Sequence, residues 1–131
     1  MRFRVLVLAA LMALPSVAAA DMSMSFEWGR MPRCTTGKPM AVPNPEIIIK
    51  DVPEGATHLR LWMVDLDDPW RNHGVKKLKL NATGDMTIPK GLFYYAGPCP
   101  KNAIHTYQWN VTAYKGLKPL YTAWMRRNYP E

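Results

Sequence analysis

Hydrophobic and polar residues alternate along much of the chain with the period of two that is typical of β-strands. The clearest case is the segment 104–114, IHTYQWNVTAY, whose alternate residues are largely apolar or aromatic. Twelve prolines and eight glycines interrupt the chain, and long runs at helical spacing are few. The pattern predicts a mainly β fold with strands at 26–28, 45–50, 59–66, 75–80, 91–95 and 104–114, and at most a short helix at 117–128.

The first 20 residues differ in character from the rest. Arg2 and Arg4 precede an apolar run at 5–14, and three alanines come directly before Asp21. This order is typical of a secretory signal peptide, and the run is shorter than the roughly 20 residues of a spanning helix. We therefore expect a signal peptide at 1–20, a single domain at 21–131 without a membrane-spanning segment, and a periplasmic or secreted protein.

The composition of that domain indicates its partners and its redox state. Without Arg2 and Arg4 the chain carries 15 basic and 10 acidic residues, a net charge of +5 that favours acidic partners. Two cysteines, Cys34 and Cys99, would enter an oxidising compartment, where a lone pair normally forms a disulfide. We therefore predict a Cys34–Cys99 bridge, and we do not expect an exported protein to bind nucleic acid.

Two of the predicted strands have a polar residue at the end of an apolar face. Alternation places His105 on the same face as Tyr107 in segment 104–114, and it places Asp65 at the end of the apolar face of segment 59–66. A carboxylate there must be paired, hydrogen-bonded or functional, because an isolated buried charge is costly. With His73, which follows the acidic turn, these residues would line one polar pocket if the strand ends converge.

The residues alone also permit a simpler interpretation. His105 would then be a histidine at the edge of the core, and the aspartates of the DLDDP segment would form a solvent-facing turn.

The order of several motifs resembles the phosphatidylethanolamine-binding protein (PEBP) family, in its bacterial YbhB/YbcL, Raf kinase inhibitor-like branch. VPEGAT at 52–57 is followed by DLDDP at 65–69, a histidine, YYAGPCP at 94–100 and HTYQW at 105–109. The resemblance runs from residue 26 to the end of the chain. It implies an antiparallel β-sandwich, in which a large sheet packs on a smaller one, and a small anion pocket at one end.

The resemblance also implies which residues form that pocket and what it holds. The pocket residues would be Asp65, His73, His105 and Tyr107, with Pro69, Gly97 and Pro98 shaping its rim. The ligand would be a phosphate-bearing small molecule or phospholipid head group, bound without enzymatic activity or a cofactor. The tyrosine hydroxyl and protonated imidazoles would donate to the phosphate, so binding should strengthen as the pH falls.

Three positions depart from the family pattern. Leu66 stands where the family has a proline, Gly74 where it often has an aromatic residue, and Thr106 where it has an arginine. We expect these changes to alter which ligands the pocket selects, because they remove groups that could brace its rim.

Catalysis is one alternative to simple binding. Serine hydrolysis is disfavoured because Ser23 and Ser25, the serines that remain after residue 20, lie at the start of the domain. A nucleophilic pair of Cys99 and His105 is conceivable, although a cysteine between two prolines in an oxidising compartment is better explained as one half of a disulfide.

Metal binding and protein binding are further alternatives. Asp65, His73 and His105 would make a three-ligand zinc site with one open position. A protein-interaction role would use the basic strand with Lys76, Lys77 and Lys79, or the tail with Trp124, Arg126 and Arg127, to dock an acidic partner.

Overall fold

The computed structural model describes residues 12–15 and 20–131, so the predicted signal peptide lies largely outside the described residues. The described part contains strands and no helix, which confirms the all-β prediction. In the part of the chain that is described, no helix is long and apolar enough to cross a membrane. The strands are β1 Ser23–Phe26, β2 Ala41–Pro43, β3 Ile47–Val52, β4 His58–Asp65, β5 Val75–Lys79, β6 Gly84–Ile88, β7 Tyr94–Ala96, β8 His105–Lys115 and β9 Lys118–Tyr129.

Three antiparallel sheets surround one hydrophobic core. The largest has the strand order β5-β4-β8-β9, a second has the order β1-β3-β6, and β2 pairs with β7. Leu61 and Val111 from the large sheet are buried in the same cluster as Ile47 and Ile49 from the three-stranded sheet. The sheets are therefore layers that share their apolar faces, as the sequence pattern requires of half-buried strands.

The alternation in β4 and β8 holds in the structure. Leu59, Leu61 and Met63 are buried on the inner face of β4, and Tyr107 and Trp109 are buried on the inner face of β8. These strands are paired from His58 opposite Tyr114 to Asp65 opposite Tyr107. The polar ends of the two inner faces consequently meet at one edge of the large sheet.

The tail is a strand, so the predicted helix at 117–128 is wrong. β9 pairs with β8 from Lys118 opposite Lys115 to Tyr129 opposite His105. Gly116 has a φ of +58° in the turn between these strands, a conformation that glycine adopts without steric cost. The hydrogen-bonding edge of β8 thus decides the structure of a segment whose own pattern was ambiguous. The short strands β2 and β6 were also missed.

The predicted disulfide is present and anchors the corner before β8. Cys34 and Cys99 are bonded, with their Cα atoms 4.6 Å apart and a sequence separation of 65. The backbone N–H of Cys34 donates to the hydroxyl of Tyr129 over 3.0 Å, which joins the same region to the end of β9. The start of the domain is therefore held against the end of the large sheet where the polar residues meet.

Candidate functional site

Asp65, the last residue of β4, organises the polar cluster. Its side chain is almost fully buried, and its Oδ2 lies 2.7 Å from His105 Nδ1. Its Oδ1 accepts hydrogen bonds from the backbone N–H groups of Asp67, at 2.9 Å, and Asp68, at 3.1 Å. Since both oxygens accept hydrogen bonds, the cost of burying this carboxylate is offset. The DLDDP segment is thus a turn built around Asp65, and the predicted pairing of this carboxylate is present.

His105 begins β8 and is the most accessible member of the cluster. Its side chain is 23% exposed, and the contact with Asp65 places a proton on Nδ1. Its Nε2, on the other side of the ring, is the nitrogen that this pairing leaves for a ligand. The neighbouring backbone N–H of Thr106 donates to Asp67 Oδ2 over 2.8 Å. This bond ties the aspartate turn to the start of β8 and holds the imidazole in place.

His73 lies in the connection between the aspartate turn and β5 and is 2% exposed. Its Nδ1 is 2.6 Å from the carbonyl oxygen of Ala96, to which it donates, while the N–H of Ala96 donates to the carbonyl of His73. The buried Nε2 of His73 has no hydrogen-bond partner among the described residues. Burial lowers the pKa of His73, against the opposing effects of the Ala96 bond and the charge of Asp65. The neutral imidazole therefore presents a lone pair on Nε2.

Tyr107 is fully buried between the two histidines. Its ring centroid is 5.9 Å from that of His73, in an edge-on arrangement, and 6.3 Å from that of His105. Burial raises the pKa of Tyr107, and so do the charge of Asp65 and the hydrogen bond to that carboxylate, whereas the backbone N–H of Cys99 lowers it. The hydroxyl is thus neutral and keeps its proton.

The predicted rim residues divide into one exposed and two buried positions. Pro69 is exposed at the aspartate turn, whereas Gly97 and Pro98 are buried. A Cβ on Gly97 would lie only 2.7 Å from Cγ2 of Val42, so only glycine fits without displacement. The Gly97–Pro98 corner therefore packs tightly against β2 and positions the backbone of the following cysteine, which contacts Tyr107.

The three departures from the family pattern have distinct surroundings. Leu66 is 39% exposed beside the turn. Gly74 has a φ of +95°, and a Cβ there would have no atom within 4 Å. Thr106 Oγ1 donates to Asn128 Oδ1 over 2.9 Å, so this side chain points to β9 and not to the cluster. Open space beside His73 is the main consequence.

A shallow cavity of about 400 Å³ occupies that space. Its lining includes His73, Gly74, Asn72, Tyr95 and Ala96. Asp65, His105 and Tyr107 do not contribute to the lining. The structure thus brings the four predicted residues together as one connected cluster, but the cavity reaches this cluster from the side of His73.

The residues whose potential ligand atoms lie close together differ from the predicted zinc ligands. Potential ligand atoms of Asp65, Asp67 and His105 lie within 4.8 Å of one another, and His73 is not among them. Asp65 and His105 are already hydrogen-bonded to each other, so a metal would have to break that bond. The Cys99–His105 catalytic pair is excluded, because the sulfur of Cys99 is in the disulfide.

Two groups that support the cluster were not among the predicted site residues. The Asp67 carboxylate accepts from the backbone N–H of Thr106, next to His105, and the Ala96 carbonyl accepts from His73. In the sequence Asp67 is one of three aspartates in DLDDP, and a backbone carbonyl leaves no side-chain pattern that could predict its role.

Comparison with known proteins supports the fold. No protein-family model and no curated protein matches the chain. The crystal structure of CT736 from Chlamydia trachomatis D/UW-3/CX, described as a candidate PEBP homolog, is similar to it with a TM-score of 0.60 and 18% sequence identity. The match covers 85% of this chain and 98% of that chain. The chain therefore has a PEBP-like β fold.

Proposed function

We propose that the protein is an exported, non-enzymatic binding protein whose polar cluster holds the phosphate group of a small molecule or of a phospholipid head group. The observation that carries the proposal is the buried Nε2 of His73, which has no partner among the described residues. A buried acceptor without a hydrogen bond costs about 1–3 kcal/mol, so a ligand that supplies a donor gains that free energy. The cavity beside Gly74 is lined by His73, so a ligand there would lie next to this imidazole.

A protonated phosphate monoester suits both histidines. A phosphate monoester has a second pKa of about 6, so near neutral pH a fraction of it carries a P–OH group. That hydroxyl can donate to the neutral His73 Nε2. The anionic oxygens of the same group can accept from Nε2 of His105 when this ring is protonated, and Asp65, 2.7 Å from Nδ1, balances the charge.

The proposal makes binding depend on protons. Each of the two favourable contacts needs a proton, carried either by the ligand or by an imidazole. Affinity therefore increases as the pH falls from 8 towards 6, in the range where phosphate monoesters and unperturbed imidazoles titrate. Asp65 acts as a positioning residue, because it is hydrogen-bonded to His105 Nδ1, and the Tyr107 hydroxyl is a further candidate donor to the phosphate.

Export and the absence of catalysis rest on separate observations. The order of residues at 1–20 is that of a signal peptide, and the Cys34–Cys99 bridge fits an oxidising compartment. The disulfide removes the one cysteine near a histidine from nucleophilic chemistry. A binding role is the function that these features support together.

NMR titration of the purified protein with phosphate and phosphoethanolamine tests the proposal. We expect saturable shifts of the His73 and His105 ring signals that grow stronger as the pH is lowered, and their loss in His105→Ala. His58→Ala is the matched control, because His58 stacks on Tyr114 at the other end of β4. Unshifted His73 and His105 signals in the folded protein at pH 6 contradict the proposal.

A further inference from the structure

The solvent-facing side of the large sheet is a second surface with a distinct chemistry. Cross-strand pairing places Lys77 opposite Arg60, and Val75 opposite Trp62. Asn110 of β8 lies between Trp62 and Trp124, because it is opposite both of them. Residues directly opposite each other in antiparallel strands share a face, so a row of apolar and aromatic side chains crosses the sheet. We call the surface formed by Arg60, Trp62, Val75, Lys77, Trp124 and Arg126 the cationic face.

The basic strand and the basic tail, which are separate segments in the sequence, lie in the same sheet. Within each segment, however, the basic residues are distributed between the two sides of that sheet. Lys77 and Arg126 lie on the cationic face, whereas Lys76 is opposite Leu61 and Arg127 is opposite Tyr107 on the inner side. Arg127 Nε donates there to the carbonyl of Phe26. The basic residues therefore do not act as two linear patches, because alternation assigns them to opposite sides of the sheet.

The cationic face carries charge of one sign. Among the residues of β4, β5, β8 and β9 the single carboxylate is Asp65, and it is buried on the inner side. Arg60, Lys77 and Arg126 have no salt-bridge partner among the described residues. Cations that protect an exposed sheet would be expected at its edges, but Arg60 lies on β4, which has neighbours on both sides.

Two arginines are held in place against tryptophans. The guanidinium carbon of Arg126 is 4.7 Å from the ring centroid of Trp124, and that of Arg60 is 5.1 Å from the ring of Trp62. Arg126 Nε also donates to Gln108 Oε1 over 2.8 Å, which leaves its two terminal nitrogens for a partner. A stacked guanidinium with free terminal N–H groups is suited to a planar carboxylate, which accepts two parallel hydrogen bonds.

We propose that the cationic face docks a protein segment in which glutamate or aspartate residues flank an aromatic side chain. The row of Val75, Trp62 and Trp124 would receive the aromatic group, with Lys77 and Arg60 on one side of the row and Arg126 on the other. Arginine and tryptophan are the residues that dominate binding energy at protein interfaces. A second copy of this chain does not fit through its own cationic face, since that would bring cations against cations.

A lipid surface fits the cationic face less well than a protein segment. Both indole rings carry a guanidinium, so cationic groups lie against the aromatic surface that would insert into a lipid. The centre of the face is also polar, where Gln108 Nε2 donates to Asn110 Oδ1 over 2.6 Å. Polar groups next to aromatic anchors are typical of a protein interface.

Fluorescence anisotropy with a labelled synthetic peptide tests the proposal. The peptide has glutamates on both sides of a central phenylalanine, and the variants are Arg60→Gln/Arg126→Gln and Lys38→Gln/Lys50→Gln. Both double variants lose the same net charge, but Lys38 and Lys50 are exposed away from the cationic face. We expect the apparent Kd to rise by at least about tenfold in the arginine variant and less than about twofold in the lysine variant.

Three outcomes would overturn the proposal. Absence of peptide binding at low salt is the first, and equal weakening in both double variants, which would indicate nonspecific attraction, is the second. The third is binding to vesicles of phosphatidylcholine and phosphatidylglycerol without binding to the peptide, which would assign the face to lipid. The arginine variant should keep the phosphate-induced shifts of His73 and His105, so failure here is distinguishable from failure of the anion site.

Discussion

His105 Nδ1 lies 2.7 Å from Asp65 Oδ2, which joins the first residue of β8 to the last residue of β4. The pair fixes the orientation of the imidazole, and the other oxygen of the carboxylate caps the turn that follows β4. One carboxylate thus serves both the candidate site and the local fold, and its removal should affect both.

Asp65→Asn should lower the free energy of unfolding by about 3 kcal/mol, because it removes a buried charge from three donors and leaves His105 without its partner. Urea denaturation followed by tryptophan fluorescence measures the change. Asp68→Asn is the control, since its ion pair with Arg71 is about 40% exposed and should contribute no more than about 0.5 kcal/mol. Equal effects of the two substitutions would show that Asp65 does not organise the cluster.

Acid should destabilise the protein through His73. Its pKa is lowered by burial from the ordinary value of 6.5, so below that pH the unfolded chain binds a proton that the folded chain does not. The stability contributed by the neutral ring is complete above pH 6.5 and is lost as the pH falls towards the folded-state pKa. Urea denaturation at pH 8 and pH 5.5 should show a smaller acid loss for His73→Gln than for wild type.

His58→Gln is the comparison for that experiment, because this histidine is stacked on Tyr114 at the surface. It should keep the acid loss of the wild type. If His73→Gln loses as much stability as the wild type does, the buried imidazole is not the source.

Gly97→Ala should destabilise the corner before β8 by about 1–3 kcal/mol, since the new methyl group would lie 2.7 Å from Val42 Cγ2. Val42→Ala removes that carbon, so the double variant should be more stable than the sum of the two single effects indicates. Thermal or urea unfolding of all four proteins measures this coupling. Additive effects would mean that the close approach to Val42 is not the constraint.

Replacement of both cysteines by serine should lower the free energy of unfolding by about 4 kcal/mol, because the bridge closes a loop of 65 residues in the unfolded chain. The native protein should contain no titratable thiol. Wild-type protein unfolded in the presence of a reductant is the matched control and should be as unstable as the variant. A serine variant as stable as the oxidised protein would refute this effect.

Sulfate should bind the cluster more weakly than phosphate at pH 6 to 7. Sulfate has the same shape but carries no proton in this range, so it cannot donate to the lone pair of His73 Nε2. Competition of the two anions, followed through the His73 ring signal, measures the difference. Equal affinities would indicate that the site recognises charge alone and that the P–OH donor plays no part.

The large sheet shows which features the hydrophobic pattern predicts and which it does not. The alternation in β4 and β8 predicted that Asp65 and His105 end two buried faces, and it did so because a side chain's direction in a strand depends only on its position. Prediction failed for β9, where the choice between helix and strand depended on the free edge of β8. The short strands β2 and β6 also depend on pairing partners that are distant in the sequence.

The candidate site, too, was predicted from the sequence only in part. The order of the motifs along the chain singled out its four side chains, and the fold brings them together. The surroundings of Tyr107 could not be read from the sequence, since its place opposite Asp65 is set by how β4 and β8 pair. The cationic face could not be read from the sequence either, because Arg60 and Arg126 lie on strands that are separated by β8 in the sheet.

The sequence by itself determined the β class, the inner and outer faces of the two central strands and the cysteine pair, because these follow from local rules of side-chain direction and composition. Its resemblance to a family supplied the four candidate site residues. Only the tertiary structure decided which nitrogen of each histidine remains free, that the tail is a strand, and that two basic segments form one surface. Those features depend on backbone hydrogen bonds and contacts between residues far apart in the chain, which no local pattern records.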